Sequence, residues 1–440
     1  MRMRLLLLNI SLLSFSLIVN GQNVLRLNDC ISTGLENNFS ILVARNNEAI
    51  SKNNFTAGNA GYLPKLDLTG RYGGTINNTT QNLTDGTTSS SSGVHNTAAN
   101  AGASIGWTIF DGFSVRTTYK KLNELKQLGE LNTQLSVENL VSEIIAGYYN
   151  YIQQIQTLAN FEYALTLSRE RLRIDKDRYM LGSSSKLQVL QSQVYLNADS
   201  SKLSRQGEVV RAAQVKLNEL MAVKDLSATF ESADSLIEVN ELLLYEKLLD
   251  ATLAGNTSLI IASKNKTVSE YDYKIITSRS YPYLTMSTGY NYALSTYETG
   301  SYKNQTVNGL NYGLTFGMNI FDGFNQRRSI ANSNIEIQNR ELKYLEIEQG
   351  IRADLIAIYN VYGDKLRLIK LEEQNLATAT ENLDIALERY KLGSLSGLDL
   401  REVQKSLLDA KDRLLSIQYQ TKLAEISLKL ISGPIMEYYK

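Results

Sequence analysis

The chain has 440 residues, and its 45 basic side chains are matched by 45 acidic ones, so its formal net charge is zero. A nucleic-acid-binding domain normally carries a basic excess, which this composition lacks. The chain holds one histidine, His95, and one cysteine, Cys30, too few for a zinc site or a histidine-based catalytic triad. We therefore expect no enzyme activity and no cofactor, with His95 a solvated loop residue and Cys30 an inert thiol.

The N-terminus has the pattern of a secretory signal peptide. Arg2 and Arg4 precede an apolar run over residues 5–19, and small residues precede Gln22. An apolar run of about 15 residues is too short to span a bilayer comfortably, and this order of charged, apolar and small residues is typical of a segment that is removed. We predict that residues 1–21 are cleaved and that no transmembrane helix remains in the mature chain.

Two sequence motifs each occur twice. The tetrapeptide Phe-Asp-Gly-Phe stands at 110–113 and again at 321–324, and Arg-Tyr-x-Leu-Gly-Ser stands at 178–183 and again at 389–394. Both pairs are offset by 211 residues, so the segment between the motifs has the same length in each half, as a long rigid element requires. The chain therefore looks like a tandem duplication, and such repeats decide the architecture before anything else.

Upstream of the tetrapeptide the offset changes to 218 residues, because Asn38 matches Asn256 and Pro64 matches Pro282. A length difference between the halves must therefore lie between Pro64 and the first tetrapeptide. That interval holds residues 77–100, which are rich in Ser, Thr, Asn and Gly. This composition is typical of an exposed loop of variable length, and we expect a loop there.

The segment between the two motifs is predicted to be one long helix in each half. Its apolar residues recur at steps of three and four, as in a coiled coil, and it contains no proline. Two shorter helices stacked end to end match one long helix, at about 1.5 Å per residue, so one chain supplies four helical tracks. In chain order we predict a signal peptide (1–21), a first repeat (22–222) with a short helix (about 28–60), a β-hairpin (about 64–110), a long helix (about 112–180) and a short helix (about 186–222), an equatorial linker (223–245), a second repeat (246–432) with a short helix (about 246–280), a β-hairpin (about 282–321), a long helix (about 323–391) and a short helix (about 398–432), and a C-terminal tail (433–440).

Four segments alternate apolar and polar residues with the period of two that defines a β-strand. In the first of them, Leu66 and Leu68 alternate with Lys65 and Asp67. Each segment has about 9–12 residues, the length that crosses a bilayer at a tilt. We interpret these strands as transmembrane, and the alternative is a soluble sandwich with its polar residues outward. Because Tyr and Trp cluster at membrane–water boundaries, the expected boundary residues are Tyr72, Trp107, Tyr290, Tyr292, Tyr312 and Phe316.

Four strands cannot close a barrel with a lumen by themselves. Their open edges would leave backbone groups unpaired in lipid, at several kcal/mol each. We therefore expect other copies of the chain to complete the sheet, in a dimer, trimer or tetramer. The helices that follow the strands would share this ring and form a hollow cylinder, the alternative being a filled bundle.

With these features, residues 24–432 resemble the TolC-like outer-membrane efflux proteins, also called outer-membrane factors. The resemblance rests on the signal peptide, the duplicated plan and both motifs in register. It implies a mainly α fold, in which a long antiparallel helical-hairpin barrel is continuous with a transmembrane β-barrel of four strands per chain and twelve per homotrimer. It further implies a passive outer-membrane exit channel with a periplasmic tunnel, fed by a periplasmic adaptor and an inner-membrane pump of the RND or ABC type. The organism would then be a Gram-negative bacterium.

The resemblance also assigns roles to the turns between long and short helices. Gly182 and Gly393 stand where a helix must reverse, a position that favours a positive φ. In the family these tips also meet the adaptor, and the two tips differ in sequence, so they are expected to contact different adaptor faces. The adaptor-docking residues implied are Arg178, Tyr179, Leu181, Gly182, Ser183, Arg389, Tyr390, Leu392, Gly393 and Ser394.

An acidic pair follows the second tip. Asp399 and Glu402 are three residues apart, a spacing that places both on one helix face. They match the aperture carboxylates of the family, and three copies would form an acidic ring that favours cations. The first half has Gln188 at the position of Asp399, so only one half supplies this charge. The alternative is a solvated surface face of the helix.

Two other functional classes remain open at this stage. One is a secreted structural or adhesive coiled-coil protein without a conduit. The other is a periplasmic adaptor, which is disfavoured because an adaptor has one helical hairpin with flanking β domains, whereas this chain has two hairpins and strands of bilayer length.

Overall fold

The computed structural model describes residues 24–299 and 302–439, so the predicted signal peptide and the last residue of the predicted tail lie outside the described residues. The chain divides into two units. The helical unit comprises the described residues up to Val43, then Gln134–Asn256 and the residues from Gly350 onward. The sheet unit comprises Ala44–Thr133 and Thr257–Gln349.

The described chain is mainly helical. The two long helices begin 211 residues apart and end 211 residues apart, the same offset that separates the sequence motifs. No helix within the described ranges has an apolar stretch long enough to cross a membrane. In chain order the elements are β1 (Val24–Leu25), α1 (Leu27–Asn37), α2 (Phe39–Asn54), α3 (Ala57–Ala60), β2 (Lys65–Asn82), β3 (Thr88–Asp111), α4 (Ser114–Met180), α5 (Lys186–Leu220), β4 (Glu231–Ser232), α6 (Tyr245–Gly255), α7 (Thr257–Ser278), β5 (Tyr283–Thr296), β6 (Asn304–Gly317), α8 (Asn325–Lys391), α9 (Gly397–Ser432) and a final 3-10 helix (Pro434–Tyr439).

In the sheet unit, the four long strands form one antiparallel sheet in the order β2-β3-β5-β6. The register places the apolar residues of all four alternating segments on one face, which we call the apolar face; Leu68 pairs with Ala103, which pairs in turn with Tyr290. This face is exposed in the single chain, where Leu68 and Tyr312 are each 85% exposed. The outer sides of β2 and β6 pair with no strand of the described chain. The apolar face carries Leu66, Leu68, Tyr72, Ala103, Ile105, Trp107, Met286, Tyr290, Tyr292, Leu310, Tyr312, Leu314 and Phe316.

The prediction of an exposed loop over residues 77–100 was wrong. β2 continues to Asn82 and β3 begins at Thr88, and these two residues still pair across the hairpin. Only residues 83–87 form the turn between them. Polar composition indicates contact with water but does not exclude a strand, and the β-branched threonines of this segment favour one.

Each Phe-Asp-Gly-Phe motif converts a strand into a long helix. Gly112 and Phe113 have positive φ angles of 67° and 71°, so the chain turns sharply where β3 ends. The carboxylate of Asp111 then accepts a hydrogen bond of 3.0 Å from the backbone nitrogen of Val115, which caps the first turn of α4. The second copy at 321–324 repeats this geometry, with φ angles of 69° and 62° and a capping hydrogen bond of 2.8 Å. The motif is therefore a strand-to-helix connector.

Each short helix predicted before a hairpin is broken by an asparagine. The break at Asn38 separates α1 from α2, and its side-chain amide donates a hydrogen bond of 2.9 Å to the carbonyl of Leu220 at the end of α5. The break at Asn256 separates α6 from α7, and its amide donates one of 2.8 Å to the carbonyl of Ile431 in α9. The last carbonyls of a helix have no partner within that helix. Each asparagine donates to one of these carbonyls at the end of a neighbouring helix.

Four tyrosines hold the segment between α5 and α6 against the long helices of the helical unit. Tyr148 and Tyr151 on α4 each donate a hydroxyl hydrogen bond of 2.9 Å to it. Tyr359 and Tyr362, at the equivalent positions of α8, donate hydroxyl hydrogen bonds to backbone carbonyls of the same segment. The surrounding core is apolar and fully buried at Ile31, Ile41, Val141, Ile144, Ile145, Leu217 and Leu355.

Candidate functional site at the helix-turn-helix tips

The two tips, at residues 178–185 and 389–396, reverse the chain with the same backbone geometry. Gly182 has a φ of 74° and Gly393 a φ of 81°, a conformation that side chains with a Cβ rarely adopt. At each tip a serine nitrogen donates back to the carbonyl of an arginine five residues earlier, at 2.8 Å and 2.9 Å. These hydrogen bonds close the last turn of the long helix.

A serine begins the next helix at both tips. Ser185 accepts a hydrogen bond of 3.3 Å from the nitrogen of Gln188, and Ser396 accepts one of 3.1 Å from the nitrogen of Asp399. The Asp399 carboxylate also accepts the hydroxyl of Ser396 at 2.7 Å. Asp399 therefore contributes to capping α9, since an acidic side chain in the first turn of a helix is stabilising.

The predicted docking residues are only partly at the surface. Leu181 and Leu392 are each 83% exposed, and Tyr179 is 47% exposed. Tyr390 is only 2% exposed, so its side chain is not part of the exposed surface of the second tip. Arg178 is half-buried, whereas Gly182, Ser183, Arg389, Gly393 and Ser394 are exposed.

Tyr390 instead connects the two hairpins of the helical unit, α4–α5 and α8–α9. Its hydroxyl donates to the buried carboxylate of Asp175 on α4, which also accepts the hydroxyl of Ser192 on α5. Burial and the bonded carboxylate of Asp175 raise the pKa of the Tyr390 phenol well above its usual range. Arg178 donates to the backbone carbonyl of Tyr390, and its guanidinium lies 4.8 Å from the centre of the tyrosine ring.

A second connection between the hairpins is a buried ion pair. Arg401 on α9 donates two hydrogen bonds of 2.7 Å to the two carboxylate oxygens of Asp199 on α5. Asp199 is 2% exposed in its side chain and also accepts the hydroxyl of Ser168. Burial alone would raise the pKa of Asp199, but the hydrogen bonds from Arg401 and Ser168 and the Arg401 charge together lower it. Such a two-pronged pair fixes both distance and orientation.

Arg171 lies beside these connections without a hydrogen bond of its own. Its side chain is 1% exposed, and none of its three guanidinium nitrogens meets an acceptor among the described residues. Its guanidinium lies 4.6 Å from the ring centre of Tyr195, and Arg401 lies 5.2 Å from the same ring. Burial, with the charge of Arg401, lowers the pKa of Arg171. An unpartnered buried guanidinium costs stability.

The acidic pair of α9 lies on the exposed side of that helix. Asp399 and Glu402 are exposed, whereas Leu400 and Gln404 between and beyond them are buried. Neither carboxylate forms an ion pair within the described ranges. The pair therefore presents two uncompensated negative charges to solvent. In the part of the chain that the structure describes, no group of three or more His, Cys, Asp or Glu is placed to hold a metal ion.

The six predicted boundary aromatics all lie on the apolar face of the sheet, but at different heights. The register places Phe316 and Trp107 near the end where the long helices begin, and Trp107 donates its indole N–H to the carbonyl of Tyr62 at 2.9 Å. Tyr72 lies near the other end of this face. The rows between are occupied by Tyr312, Tyr290 and Tyr292. The alternation of residues along a strand predicts which face of the sheet an aromatic residue lies on. Its height along the strand direction depends on the register between strands, which the sequence pattern does not give.

Comparison with known proteins identifies the family. Residues 30–223 and 248–434 match the family model described as outer membrane efflux protein. The chain belongs to the outer membrane efflux protein family. It is 20% identical over 320 residues to the outer membrane protein TolC of Vibrio cholerae, a match that covers 68% of this chain and 69% of TolC. The members of this family are outer-membrane efflux channels rather than enzymes.

Solved structures share the fold of this efflux protein. The outer membrane protein VceC of Vibrio cholerae matches with a TM-score of 0.73 and 16% identity, over 92% of this chain and 96% of that one. The CmeC outer membrane channel of Campylobacter jejuni matches with a TM-score of 0.75 and 15% identity, over 93% of this chain and 85% of that one. The efflux protein thus keeps the fold at low sequence identity.

The residues that connect the hairpins of the efflux protein were not identified from its sequence. Asp175, Asp199 and Arg401 stand at helical spacing among many charged residues, and this pattern favours solvated helix faces. The structure buries both carboxylates instead. No local sequence signal separates these carboxylates from solvated ones, because only partners on other helices compensate their charge.

Proposed function

We propose that this efflux protein is a passive outer-membrane exit channel of a tripartite efflux or type I secretion system. The observation that carries the proposal is the sheet, with one exposed apolar face and one face of small and polar residues. On the apolar face, Leu284 and Leu294 of β5, which lie in the rows of Phe316 and Tyr72, are ten residues apart, or about 33 Å along the strand. At a tilt near 45° this is about 23 Å, close to the apolar band of outer-membrane strands.

The trimer follows from the unpaired edges of the sheet. β2 and β6 would pair between neighbouring chains, so that twelve strands close one barrel and leave no unpaired backbone in lipid. The polar face then lines an aqueous lumen. Trp107 and Phe316 would mark one membrane boundary and Tyr72 the other, with the remaining three aromatics in between. The helices of three chains would form the periplasmic tunnel.

The tips would receive the periplasmic adaptor, which couples the channel to an inner-membrane pump. Exposed leucines at both tips, Leu181 and Leu392, offer apolar contacts for a helical partner. Tyr179 and Ser183 each stand two residues from Leu181 in the chain, and Ser394 stands two residues after Leu392, whereas Tyr390 serves the connection between the hairpins. The chain would supply no energy of its own, so the pump must drive export.

Three copies of Asp399 and Glu402 would form an acidic ring at the periplasmic aperture. Two like charges at about 6 Å in an effective dielectric near 20 repel by about 3 kcal/mol, so the ring attracts cations strongly. We expect the purified protein to form cation-preferring channels in planar lipid bilayers. The double variant Asp399→Asn, Glu402→Gln should lose most of that preference.

The control is Glu388→Gln, which removes an exposed carboxylate just before the second tip that is already paired with Lys391. It should leave the cation preference unchanged. A protein that forms no channels and stays monomeric without detergent would refute the proposal in favour of a secreted structural protein. Channels with unchanged selectivity in the double variant would refute only the acidic ring.

A further inference from the structure

The polar face of the sheet carries an arginine, Arg71, that has no part in the proposed acidic aperture. This face is formed by the residues that alternate with the apolar ones, and on β3, β5 and β6 they are mostly small or uncharged polar residues. Apart from Asp111, which caps α4, its charged residues lie on β2, at Lys65, Asp67 and Arg71. Lys65 and Asp67 are next to each other on this face. Arg71 stands four residues beyond Asp67, or about 13 Å along the strand, so among the described residues no carboxylate of this face lies beside it.

Arg71 is exposed and has no partner in the described chain. No ion pair or hydrogen bond engages its guanidinium. It pairs across the sheet with Asn100, which offers an amide rather than a carboxylate. Gly73, the next residue of β2 on the same face, leaves open space, because a Cβ built there would meet no atom within 4 Å. A guanidinium in this setting keeps its five donors available for an incoming acceptor.

A hollow of about 440 Å³ adjoins Arg71 on this polar face. Its walls offer further hydrogen-bonding groups from Asn96, Asn100, Ser295 and Tyr297. The carboxylate of Glu298 accepts the backbone nitrogen of His95 at 2.6 Å, and it is not part of the hollow. Arginine with amide and hydroxyl groups is the donor set that binds carboxylate and phosphate groups.

We propose that Arg71 and this hollow form an anion-binding subsite in the barrel lumen, near its outer end, which favours cargo with carboxylate, sulfonate or phosphate groups. The inference rests on the proposed trimeric channel, because closure of the sheet is what turns the polar face toward a lumen. Three copies of Arg71 then form a positive ring. Cargo would pass the acidic ring at the periplasmic aperture first and the Arg71 ring last. The Arg71 ring would then bind the anionic groups of cargo that has already passed through the tunnel.

The experiment measures the chloride-to-potassium permeability ratio of single channels in planar bilayers under a KCl gradient. Asp399→Asn, Glu402→Gln serves as the background, so that the acidic aperture does not mask the barrel. In that background, Arg71→Gln should lower the ratio about two- to five-fold, a part of the concentrating effect that charged clefts exert on counter-ions. Arg71→Lys should keep the ratio close to that of the background, since it keeps the charge.

A second readout uses channels that are already inserted, so that folding of a variant is not in question. Cys30 is the only cysteine and is fully buried, so Arg71→Cys introduces the one accessible thiol. A cationic methanethiosulfonate added from the outer side should restore the chloride preference, and an anionic one should reverse it. Both reagents should act within seconds on an exposed thiol and leave channels with Arg71 unchanged.

The outcomes separate this inference from the proposed function. Equal permeability ratios for the background channel and its Arg71→Gln variant, or no effect of either reagent on Arg71→Cys channels, would overturn the anion subsite while the channel itself stands. A protein that inserts no channels would overturn the proposed function.

Discussion

The buried ion pair between the hairpins allows a quantitative test. Replacing Arg401 by Met keeps an unbranched apolar side chain but removes the guanidinium, which leaves the Asp199 carboxylate, 2% exposed, with only the Ser168 hydroxyl. Breaking a buried pair in this way costs about 3–5 kcal/mol. Because Arg401 retains 17% exposure, we take the lower value of about 3 kcal/mol, which corresponds to about a hundred-fold change in an equilibrium constant.

Hydrogen exchange measured by mass spectrometry is the suitable assay, because it reports local opening of chosen segments and does not require the whole chain to unfold in one step. Peptides from α5 and α9 near the tips should exchange about a hundred-fold faster in Arg401→Met. The matched control is Arg173→Met, since Arg173 is 63% exposed and pairs with surface carboxylates of α4. Its loss should change exchange by less than about five-fold. Equal effects of the two variants would refute the reasoning that burial makes the Arg401 pair strong.

The same pair should respond to pH in one direction. The pKa of Asp199 is lowered in the folded protein, so its stabilisation is complete above its unfolded pKa near 3.8 and is lost as the pH falls through the folded value. Tip exchange should therefore accelerate below about pH 4. Asp199→Asn should exchange fast at pH 7 and lack that acid-dependent step.

Two further predictions concern an arginine and a pair of glycines. Replacing Arg171, which has no hydrogen-bond acceptor in the described chain, by Met should slow exchange at the tips about ten-fold, because a buried charge is removed while most of the apolar stem is kept; faster exchange would mean that the contact with the Tyr195 ring outweighs the cost of burial. Gly112 and Gly323 share φ angles near 70°, but a Cβ on Gly112 would lie 2.4 Å from the carbonyl oxygen of Ser278, whereas a Cβ on Gly323 would meet its nearest atom at 3.8 Å. Gly323→Ala should cost about 1–2 kcal/mol for the backbone alone, and Gly112→Ala should lower the melting temperature further, so equal melting temperatures would contradict the steric difference.

The sequence predicted the elements whose pattern is local and repeated. Alternation gave the strands, because the period of two depends on one sheet face being apolar along its whole length. The seam of apolar residues gave the long helices, and the 211-residue offset fixed their equal length. The tip turns followed from Gly182 and Gly393, because few other residues adopt that backbone.

Tertiary pairings were out of reach of the same reasoning. The polar composition of residues 77–100 predicts a loop, because their side chains show no alternation, although their backbone pairs across the hairpin. Asp175 and Asp199 carry no local mark of burial, since only the partners on other helices compensate their charge. Tyr390 was grouped with Tyr179 by its motif, yet one is buried and the other exposed. A motif fixes the backbone, whereas the environment of a side chain depends on the neighbouring hairpin.

The backbone of the two hairpins is duplicated, but the residues that connect them are not. The positions equivalent to Asp175, Asp199 and Arg401 hold side chains that cannot form the same contacts. At the position 211 residues after Asp175 stands Ala386, and at the position 211 residues after Asp199 stands Ala410; both alanines are buried. The counterpart of Arg401 in the first hairpin is Leu190, which is 54% exposed. The first hairpin therefore supplies the carboxylates of these connections and the second supplies the side-chain donors Tyr390 and Arg401, whereas Arg178 of the first hairpin donates to a backbone carbonyl. A movement of the second hairpin away from the first would break both connections together. It would also move Asp399 and Glu402, because both lie on α9. The first hairpin has no equivalent acidic pair that would stay behind.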